Sequence, residues 1–309
     1  MKLWIKFGLR RDEGDSSLSS SLVHAPAFDG FVSRWPKTLT VGRKSVNIRE
    51  PIDSSRLQEM FAFLKEKAGK VPNWKRFPEF YNDPGRFQLR GEREFEKADL
   101  DAADYFVCVP LDFVVKGGCR LEGGRLSVKR SEIMRRIFGR ALVSDFQLFC
   151  TEGFRERMEA EGFANLCFDP VEVSGNKPLE EPLWRILGQR PLLPVLNELV
   201  NDKGNPVTPG KSSDDSMHNG GEETQGQDGQ GCWVNDLFFP PLLRYRRQEL
   251  ESVMGPFDLA HTNETWFSGP ANSRPPMVVC SRKFRDWCSR QKQGRQKLAV
   301  EWWPVELVD

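Results

Sequence analysis

The sequence predicts an α+β fold, in which a mixed or antiparallel sheet packs against short amphipathic helices. Three observations lead to this prediction. Apolar and polar residues alternate near the N-terminus, as in a half-buried strand. Residues 55–69 carry apolar side chains at helical spacing. A strand–helix–strand stretch then occurs twice, around residues 146–173 and 277–307.

The N-terminal elements follow from these two periodicities. Residues 2–9 place Leu3, Ile5, Phe7 and Leu9 on one face, and residues 38–48 alternate again and predict a hairpin. The clearest helix begins at Ser55, where Ser55 and Gln58 have the spacing of a capping box. Its apolar residues are Leu57, Met60, Phe61 and Leu64. Gly69 can end the helix.

The middle of the chain predicts a strand at 104–115, a hairpin at 120–128, a short helix at 131–139 and a strand at 141–149. Towards the C-terminus a helix is predicted from residue 241 to Gly255.

The duplicated stretch is a predicted strand, a capped helix and a second strand. The first copy reads FQLFC, TEGFRERMEAEG and FANLCFDPVEV, and the second reads MVVC, SRKFRDWCSRQKQG and RQKLAVEWWPVEL. Thr151 and Ser281 stand at the N-cap, where a hydroxyl can accept a hydrogen bond from an otherwise unpaired helix N–H. The other matched positions are Cys150 with Cys280, Phe154 with Phe284, and Pro170 with Pro304. Chance similarity between two such stretches is the alternative.

Composition divides the chain into three parts. Residues 1–200 form a predicted N-terminal α+β body, and residues 233–309 form a smaller C-terminal α+β part. One continuous sheet through both parts is an arrangement we consider, because the smaller part alone would have a small core. Residues 201–232 hold few apolar side chains and predict a disordered linker or insertion.

Charge and cysteine content limit the class of protein. There are 45 Lys and Arg against 44 Asp and Glu, a formal net charge of +1 that argues against nucleic-acid binding by the whole chain. The seven cysteines are scattered and lie mostly in apolar runs, as is typical of free buried thiols in a reducing compartment. Neither a secretory signal nor an apolar stretch of membrane-spanning length is recognised, so we expect a cytoplasmic protein without a membrane partner.

The sequence offers little catalytic chemistry, and we expect no catalytic residue, metal or cofactor. It contains no Cys-x-x-Cys, HExxH, phosphate loop or nucleophile elbow. Cys150 and Cys280 each precede a helix N-terminus, where the dipole can lower a thiol pKa, but their apolar strands favour burial. His261 lies near Asp258 and Glu264, so a general acid or base is one interpretation, and a surface or turn histidine is the simpler one.

Two basic clusters could meet phosphates. They comprise Arg125, Lys129, Arg130, Arg135, Arg136 and Arg140 in the first cluster, and Arg282, Lys283, Arg285, Arg290, Lys292, Arg295 and Lys297 in the second. A solvated helix face is the commoner explanation, and an acidic protein partner would use the same charges for steering.

The duplicated unit resembles a group of bacterial immunity-like domains that are associated with polymorphic toxin systems. The resemblance rests on residues 279–284 with 300–307, and more loosely on 149–154 with 168–173. In that group an apolar strand and a helix beginning Ser-x-x-Phe precede a final strand that ends in Pro-Val. The resemblance implies a protein that binds and neutralises a cognate toxin without catalysis of its own. Some members carry Cys-x-x-Cys pairs, which this chain lacks, so no metal site is implied.

The leading hypothesis is therefore a non-enzymatic, cytoplasmic protein-binding protein of immunity type, whose partner is a cognate protein such as a toxin domain. A nucleic-acid-associated protein that uses the basic clusters and an enzyme of unrecognised family are the alternatives. The candidate partner-binding residues are Trp266, Phe267, Arg285, Trp287, Trp302 and Trp303, chosen because Trp and Arg are enriched at binding hot spots. Trp302 and Trp303 are adjacent on a strand, so they point to opposite faces.

Overall fold

The protein is described from a computed structural model, and it is an α+β protein, as the sequence predicts. The structure describes residues 1–12, 21–36, 39–42, 44–73, 85–110, 119–122, 125–130, 142–144, 147–175, 179, 181–200, 233–234, 238–265, 276–293, 296–297 and 300–309. The predicted helix at 131–139 and the predicted linker at 201–232 lie outside these residues.

Six helices and a larger number of short strands make up the described chain. The helices are α1 (Ala25–Arg34), α2 (Ser55–Ala68), α3 (Lys97–Ala102), α4 (Glu152–Ala160), α5 (Arg247–Met254) and α6 (Arg282–Arg290). The strands are β1 (Lys2–Asp12), β2 (Leu22–His24), β3 (Leu39–Gly42), β4 (Ser45–Pro51), β5 (Val71–Asn73), β6 (Arg86–Gln88), β7 (Arg90–Glu94), β8 (Tyr105–Pro110), β9 (Cys119–Glu122), β10 (Arg125–Lys129), β11 (Leu142–Ser144), β12 (Gln147–Thr151), β13 (Leu166–Ser174), β14 (Leu183–Gly188), β15 (Leu199–Val200), β16 (Trp233–Val234), β17 (Phe238–Phe239), β18 (Arg244–Arg246), β19 (Leu259–Thr265), β20 (Pro276–Ser281), β21 (Lys292–Gln293), β22 (Gln296–Lys297), β23 (Val300–Pro304) and β24 (Glu306–Val308). None of the helices in this part of the chain is both long enough and apolar enough to span a bilayer.

The described chain forms two compact units. Unit 1 comprises residues 1–97 and 236–241, and unit 2 comprises residues 98–235 and 242–309. This division differs from the predicted boundary after residue 200. The reason is a non-local strand pairing: β8, from the predicted N-terminal body, lies between β20 and β23 of the predicted C-terminal part. The two predicted parts therefore share a sheet.

Unit 1 is a mixed sheet with two helices against its apolar face. The strand order is β17-β7-β1-β4-β3, and β2 pairs in parallel with one end of β1. The alternation predicted for β1 is confirmed, because Ile5, Phe7 and Leu9 are buried. Phe31 of α1 and Met60 of α2 belong to the same core.

Helix α2 matches the predicted helix, and the structure shows how its N-terminus and its C-terminus are capped. Its N-cap is Ser54, whose side chain makes no capping hydrogen bond, so the predicted capping box is not formed. Gly69 ends the helix in the left-handed conformation with φ 63°, which a glycine adopts without strain. His24 links the helices: its Nδ1 accepts from the Ala27 N–H at the start of α1, and its Nε2 lies 2.7 Å from the Lys67 carbonyl oxygen.

Unit 2 contains two larger sheets. One has the strand order β11-β12-β14-β13-β10-β9, and the other has the order β19-β20-β8-β23. The hairpin predicted at 120–128 is the antiparallel pair β9 and β10. The single strand predicted at 141–149 is a hairpin of β11 and β12. The helix predicted from residue 241 begins later, at Arg247, because residues 244–246 form β18.

Both predicted strand–helix–strand stretches form, as β12–α4–β13 and β20–α6–β23. In each, a third strand lies antiparallel between the two strands, β14 in the first case and β8 in the second. This is the split β–α–β arrangement, in which a crossover helix connects two parallel strands across an intervening one.

The helices α4 and α6 share one aromatic core. The rings of Phe154 and Trp287 meet edge to face at 5.2 Å, and those of Phe163 and Phe284 at 5.1 Å. Such edge-to-face pairs add about 0.5–1.5 kcal/mol each beyond the burial of their apolar area. The core of unit 2 therefore joins both strand–helix–strand stretches rather than dividing between them.

Candidate functional site

A groove runs between α4 and β13 in unit 2. Its volume is about 330 Å³. The lining residues are Arg155, Glu159, Gly162, Phe163, Leu166, Cys167 and Phe168. The helix supplies a charged wall, and the strand with the turn before it supplies a mainly apolar floor.

Among the described residues, the strand that forms the floor is paired along only part of its outer edge. On one side, β13 pairs with β14 over residues 166–171. On the other side, β10 pairs only with residues 172–174. Within the described chain, the outer edge of residues 166–170 therefore has no partner strand. In an antiparallel pair, alternate residues direct their N–H and C=O groups away from the partner, so the outward groups of residues 166–170 pair with no other strand of the described chain.

The floor of the groove is apolar and only partly covered. Leu166 and Phe168 are two residues apart, so both side chains point to the same face of β13. Both pack against the core of unit 2, yet each remains half-buried. An apolar surface of this kind gains free energy if a further side chain covers it.

The wall of the groove is held rigidly by a charged network. Arg155 donates to Glu152 at 2.5 Å and to Glu159 at 3.2 Å, and its guanidinium lies 4.5 Å from the centre of the Trp184 ring. Trp184 Nε1 donates to the same Glu152 carboxylate. The hydrogen bond from Arg155 holds the pKa of Glu152 below its usual range. With its side chain 25% exposed, Arg155 presents a fixed edge of its guanidinium to the groove.

Cys167 lines the groove, and its thiol is mainly protonated at neutral pH. Its thiol is half-buried and donates to the Leu187 carbonyl at 3.6 Å. Burial raises the pKa of the Cys167 thiol, so the thiol stays protonated.

The two cysteines considered as reactive candidates are core residues. Cys150 and Cys280 are fully buried, and desolvation raises the pKa of each thiol far above its usual value. The loss of hydration outweighs any effect of the helix dipole, because the thiolate would be placed in an apolar interior. The burial interpretation is therefore the correct one for both.

His261 lies in β19 and not in a turn. Burial lowers the pKa of its imidazole, so the ring is neutral at pH 7. Asp258, which lies near His261 in sequence, accepts from the Ala164 N–H at 2.9 Å and from Ser281 Oγ at 2.5 Å. The contact with Ser281 fixes the start of α6.

The candidate partner-binding residues have different surroundings. Trp287 is 3% exposed and Trp303 is 1% exposed, so both rings belong to the core and are not available to a partner. The reason is that α6 turns Trp287 towards Phe154, and β23 turns Trp303 inwards. Trp302 is half-buried, so of the two adjacent rings it is Trp302 that reaches the surface. Trp266 and Phe267 lie outside the described residues.

Arg285 is held by its own chain. It donates to Asp286 at 2.7 Å and to the Leu100 carbonyl at 2.6 Å, and it stacks over the ring of Phe106. Its side chain is only 13% exposed. The guanidinium of Arg285 therefore anchors α6 to neighbouring residues and exposes little surface to a partner.

The second basic cluster has more acidic partners than its own sequence indicates. Arg282 donates to the Ala103 carbonyl at 2.7 Å and lies 3.4 Å from Asp104. Lys283 lies 3.4 Å from Asp258. These carboxylates come from distant elements, so acidic groups outside residues 282–297 are opposed to the cluster. In the first cluster, residues 131–140 lie outside the described chain.

The groove was not predicted from the sequence. One signal could have indicated it: Pro170 stands inside an apolar strand, and proline favours strand edges because it cannot donate to the ladder. Within the described residues, no group of three or more His, Cys, Asp or Glu side chains is placed to hold a metal.

Comparisons of the chain with protein-family models, with curated proteins and with solved structures give no significant match. The resemblance to immunity-like domains therefore stays a prediction, and the site is interpreted from its own geometry.

Proposed function

We propose that this protein is a non-enzymatic, cytoplasmic protein-binding protein of immunity type, which docks an extended segment of a cognate protein in the groove between α4 and β13. The observation that carries the proposal is the edge of residues 166–170, which is open as far as the described residues show, beside a half-buried apolar floor. A toxin domain is the partner class that the sequence resemblance implies.

An extended segment suits this groove because it can use both features at once. Its backbone can pair with the open edge of β13, which supplies affinity without regard to sequence. Its alternate side chains then face Leu166 and Phe168, so an apolar residue at every second position is favoured. The same edge already accepts β10 in parallel at residues 172–174. A partner strand would extend that pairing towards Leu166.

The charged wall supports selection among partners. Arg155 is fixed by Glu152, Glu159 and Trp184, so it presents a positive group in one orientation. A prepositioned group loses little side-chain entropy on binding. A partner with a polar acceptor beside its apolar residues would meet both surfaces of the groove.

The test is affinity purification of the tagged protein from its native cytoplasm after nuclease treatment, followed by mass spectrometry. Three proteins are compared with the wild type. Glu159→Arg and Phe168→Ala alter the wall and the floor of the groove. Glu156→Arg is the matched control, because Glu156 is exposed on the same helix and does not line the groove. Thermal unfolding of each variant verifies that it is folded.

A stoichiometric protein that is retained by the wild type and by Glu156→Arg, and lost with Glu159→Arg and Phe168→Ala, would support the proposal. We expect at least tenfold weaker capture for each groove variant. Equal capture by all four proteins would move the binding surface elsewhere. Material that disappears on nuclease treatment would favour the nucleic-acid alternative instead.

A further inference from the structure

The two strand–helix–strand stretches match in register as well as in order. In the first sheet, Trp184 of β14 lies opposite Cys150 of β12 and opposite Pro170 of β13. In the second, Phe106 of β8 lies opposite both Cys280 and Pro304. The residues that match in sequence are therefore placed by two different central strands at the same positions of two sheets.

The side chains on the central strands repeat the same contact. Arg155 of α4 lies 4.5 Å above the ring of Trp184. Arg285 of α6 lies 4.4 Å above the ring of Phe106. Each arginine occupies the fourth position of its helix, counted from the first helical residue. Chance similarity between two αβ stretches does not account for a shared contact with a residue outside both stretches.

The match extends beyond the two stretches. Each begins with an antiparallel hairpin, β11 with β12 and β19 with β20. Each stretch also pairs with a parallel strand two residues after its matched proline. Ser127 of β10 lies opposite Glu172, and Arg244 of β18 lies opposite Glu306. The order β10, β11, β12, α4, β13 thus corresponds to β18, β19, β20, α6 and β23 with β24. We name residues 125–174 the first module and residues 244–308 the second module.

The order of the central strands β8 and β14 along the chain differs from their distribution between the two sheets. Along the chain, β8 precedes the first module and β14 precedes the second. In space, β8 lies in the sheet of the second module and β14 lies in the sheet of the first. Neither strand stays with the module that it precedes.

We infer that unit 2 consists of two copies of one module that have exchanged their central strands, so that a single chain reproduces a strand-swapped dimer. Exchange of an identical element between two copies is a low-cost way to join them, because every contact of the closed module is kept. The interaction surface is the slot between the outer strands of each module, and its occupant is the strand that precedes the other copy. This inference does not depend on the proposed function.

The exchange can be tested in the full-length protein by cross-strand disulfides. Tyr105 lies opposite Ser281, and Leu183 lies opposite Thr151. Residues directly opposite in antiparallel strands have Cα atoms about 4.5–5.5 Å apart, within the range that a disulfide spans. Two double variants are made: Tyr105→Cys with Ser281→Cys, and Leu183→Cys with Thr151→Cys.

The matched controls keep the cysteine on each central strand and place the second cysteine in the other module. They are Tyr105→Cys with Thr151→Cys, and Leu183→Cys with Ser281→Cys. All four proteins are oxidised at low concentration, and the disulfides are assigned by peptide mapping, which also separates the introduced thiols from native ones. Circular dichroism establishes that each protein is folded before oxidation.

We expect the two double variants to form intramolecular disulfides in most molecules and the two controls to form less than a tenth as much. The reverse result, with disulfides only in the controls, would show central strands that stay with their own modules and would overturn the inference. The inference would also be overturned if the Tyr105–Ser281 and Leu183–Thr151 cysteine pairs formed no more disulfide than the control pairs in folded protein. The two strands are tested separately, so a failure to fold in one pair leaves the other pair decisive.

Discussion

Gly188 of β14 lies against the backbone of Ala260 in β19 so closely that a Cβ on Gly188 would come within 2.4 Å of the Ala260 Cα. That separation is shorter than real Cβ contacts allow, and the obstructing atom is backbone. A glycine at this position is therefore a requirement of the contact between the two sheets of unit 2.

The first prediction concerns this contact. Gly188→Ala should lower the free energy of unfolding by about 2–3 kcal/mol, since the strands must separate to admit the methyl group. Chemical denaturation measures the change. Gly153→Ala is the control, because Gly153 lies in α4 with nothing near its Cβ position. There alanine should stabilise the helix by about 0.5–1 kcal/mol. Similar effects of the two substitutions would refute the close-contact argument.

The second prediction concerns the start of α6. Ser281 Oγ accepts from the Phe284 N–H at 3.2 Å and donates to Asp258 at 2.5 Å. Ser281→Ala should cost about 1–2 kcal/mol of stability, because it removes both the N-cap and the partner of a buried carboxylate. Ser281→Thr keeps the hydroxyl and should recover most of the loss. Ser289→Ala, on the exposed side of the same helix, should change stability by no more than about 0.5 kcal/mol.

Much of this local structure could be predicted from the sequence, because it depends on neighbours in the chain. The alternation of β1, the apolar stripe of α2, the turn at Gly69 and the cap at Ser281 are of this kind. Thr151 shows the limit: it occupies the N-cap of α4, but its side chain makes no capping hydrogen bond.

What could not be predicted depends on distant partners. The pairing of β8 with β20 and β23 joins residues that are more than 160 positions apart, and no local periodicity records it. The same is true of Asp104 and Asp258, which neutralise arginine and lysine on α6. Residue type alone predicts a binding face for the tryptophans, whereas packing in the core decides the position of Trp287 and Trp303.

The third prediction is a pH dependence due to His261. Burial lowers the pKa of its imidazole in the folded protein below the unfolded value of about 6.5. The unfolded state then binds the proton more readily, so the stability that this group contributes is present above pH 6.5 and is lost as the pH falls through the folded pKa. The free energy of unfolding, measured between pH 7.5 and about 5, should fall less steeply for His261→Asn than for the wild type. Parallel curves would contradict the assignment.

The fourth prediction concerns the thiols. Cys108, Cys150, Cys280 and Cys288 are buried, and burial raises the pKa of each. A neutral-pH thiol reagent should modify them only after unfolding, whereas Cys167, which is half-buried, should react at least tenfold faster in the folded protein. Peptide mapping after timed exposure measures each site. Rapid modification of Cys150 or Cys280 without denaturant would revive the reactive-cysteine interpretation.

The last prediction follows from the position of β8. A protease site introduced within residues 210–220, where the sequence predicts a linker, is used to cut the purified protein between the first and second modules. The second module contains β20 and β23, and the strand between them belongs to the other fragment. The two fragments should therefore elute together on size exclusion and separate only in denaturant. Val107→Asp places a charge at a buried position of β8, opposite Val279 and Trp303, so the cut variant should separate at a lower denaturant concentration than the cut wild type. Glu301→Asp, at an exposed position of β23, should leave the cut fragments joined. Separation of the cut wild-type fragments without denaturant would show that β8 does not hold the second module in place.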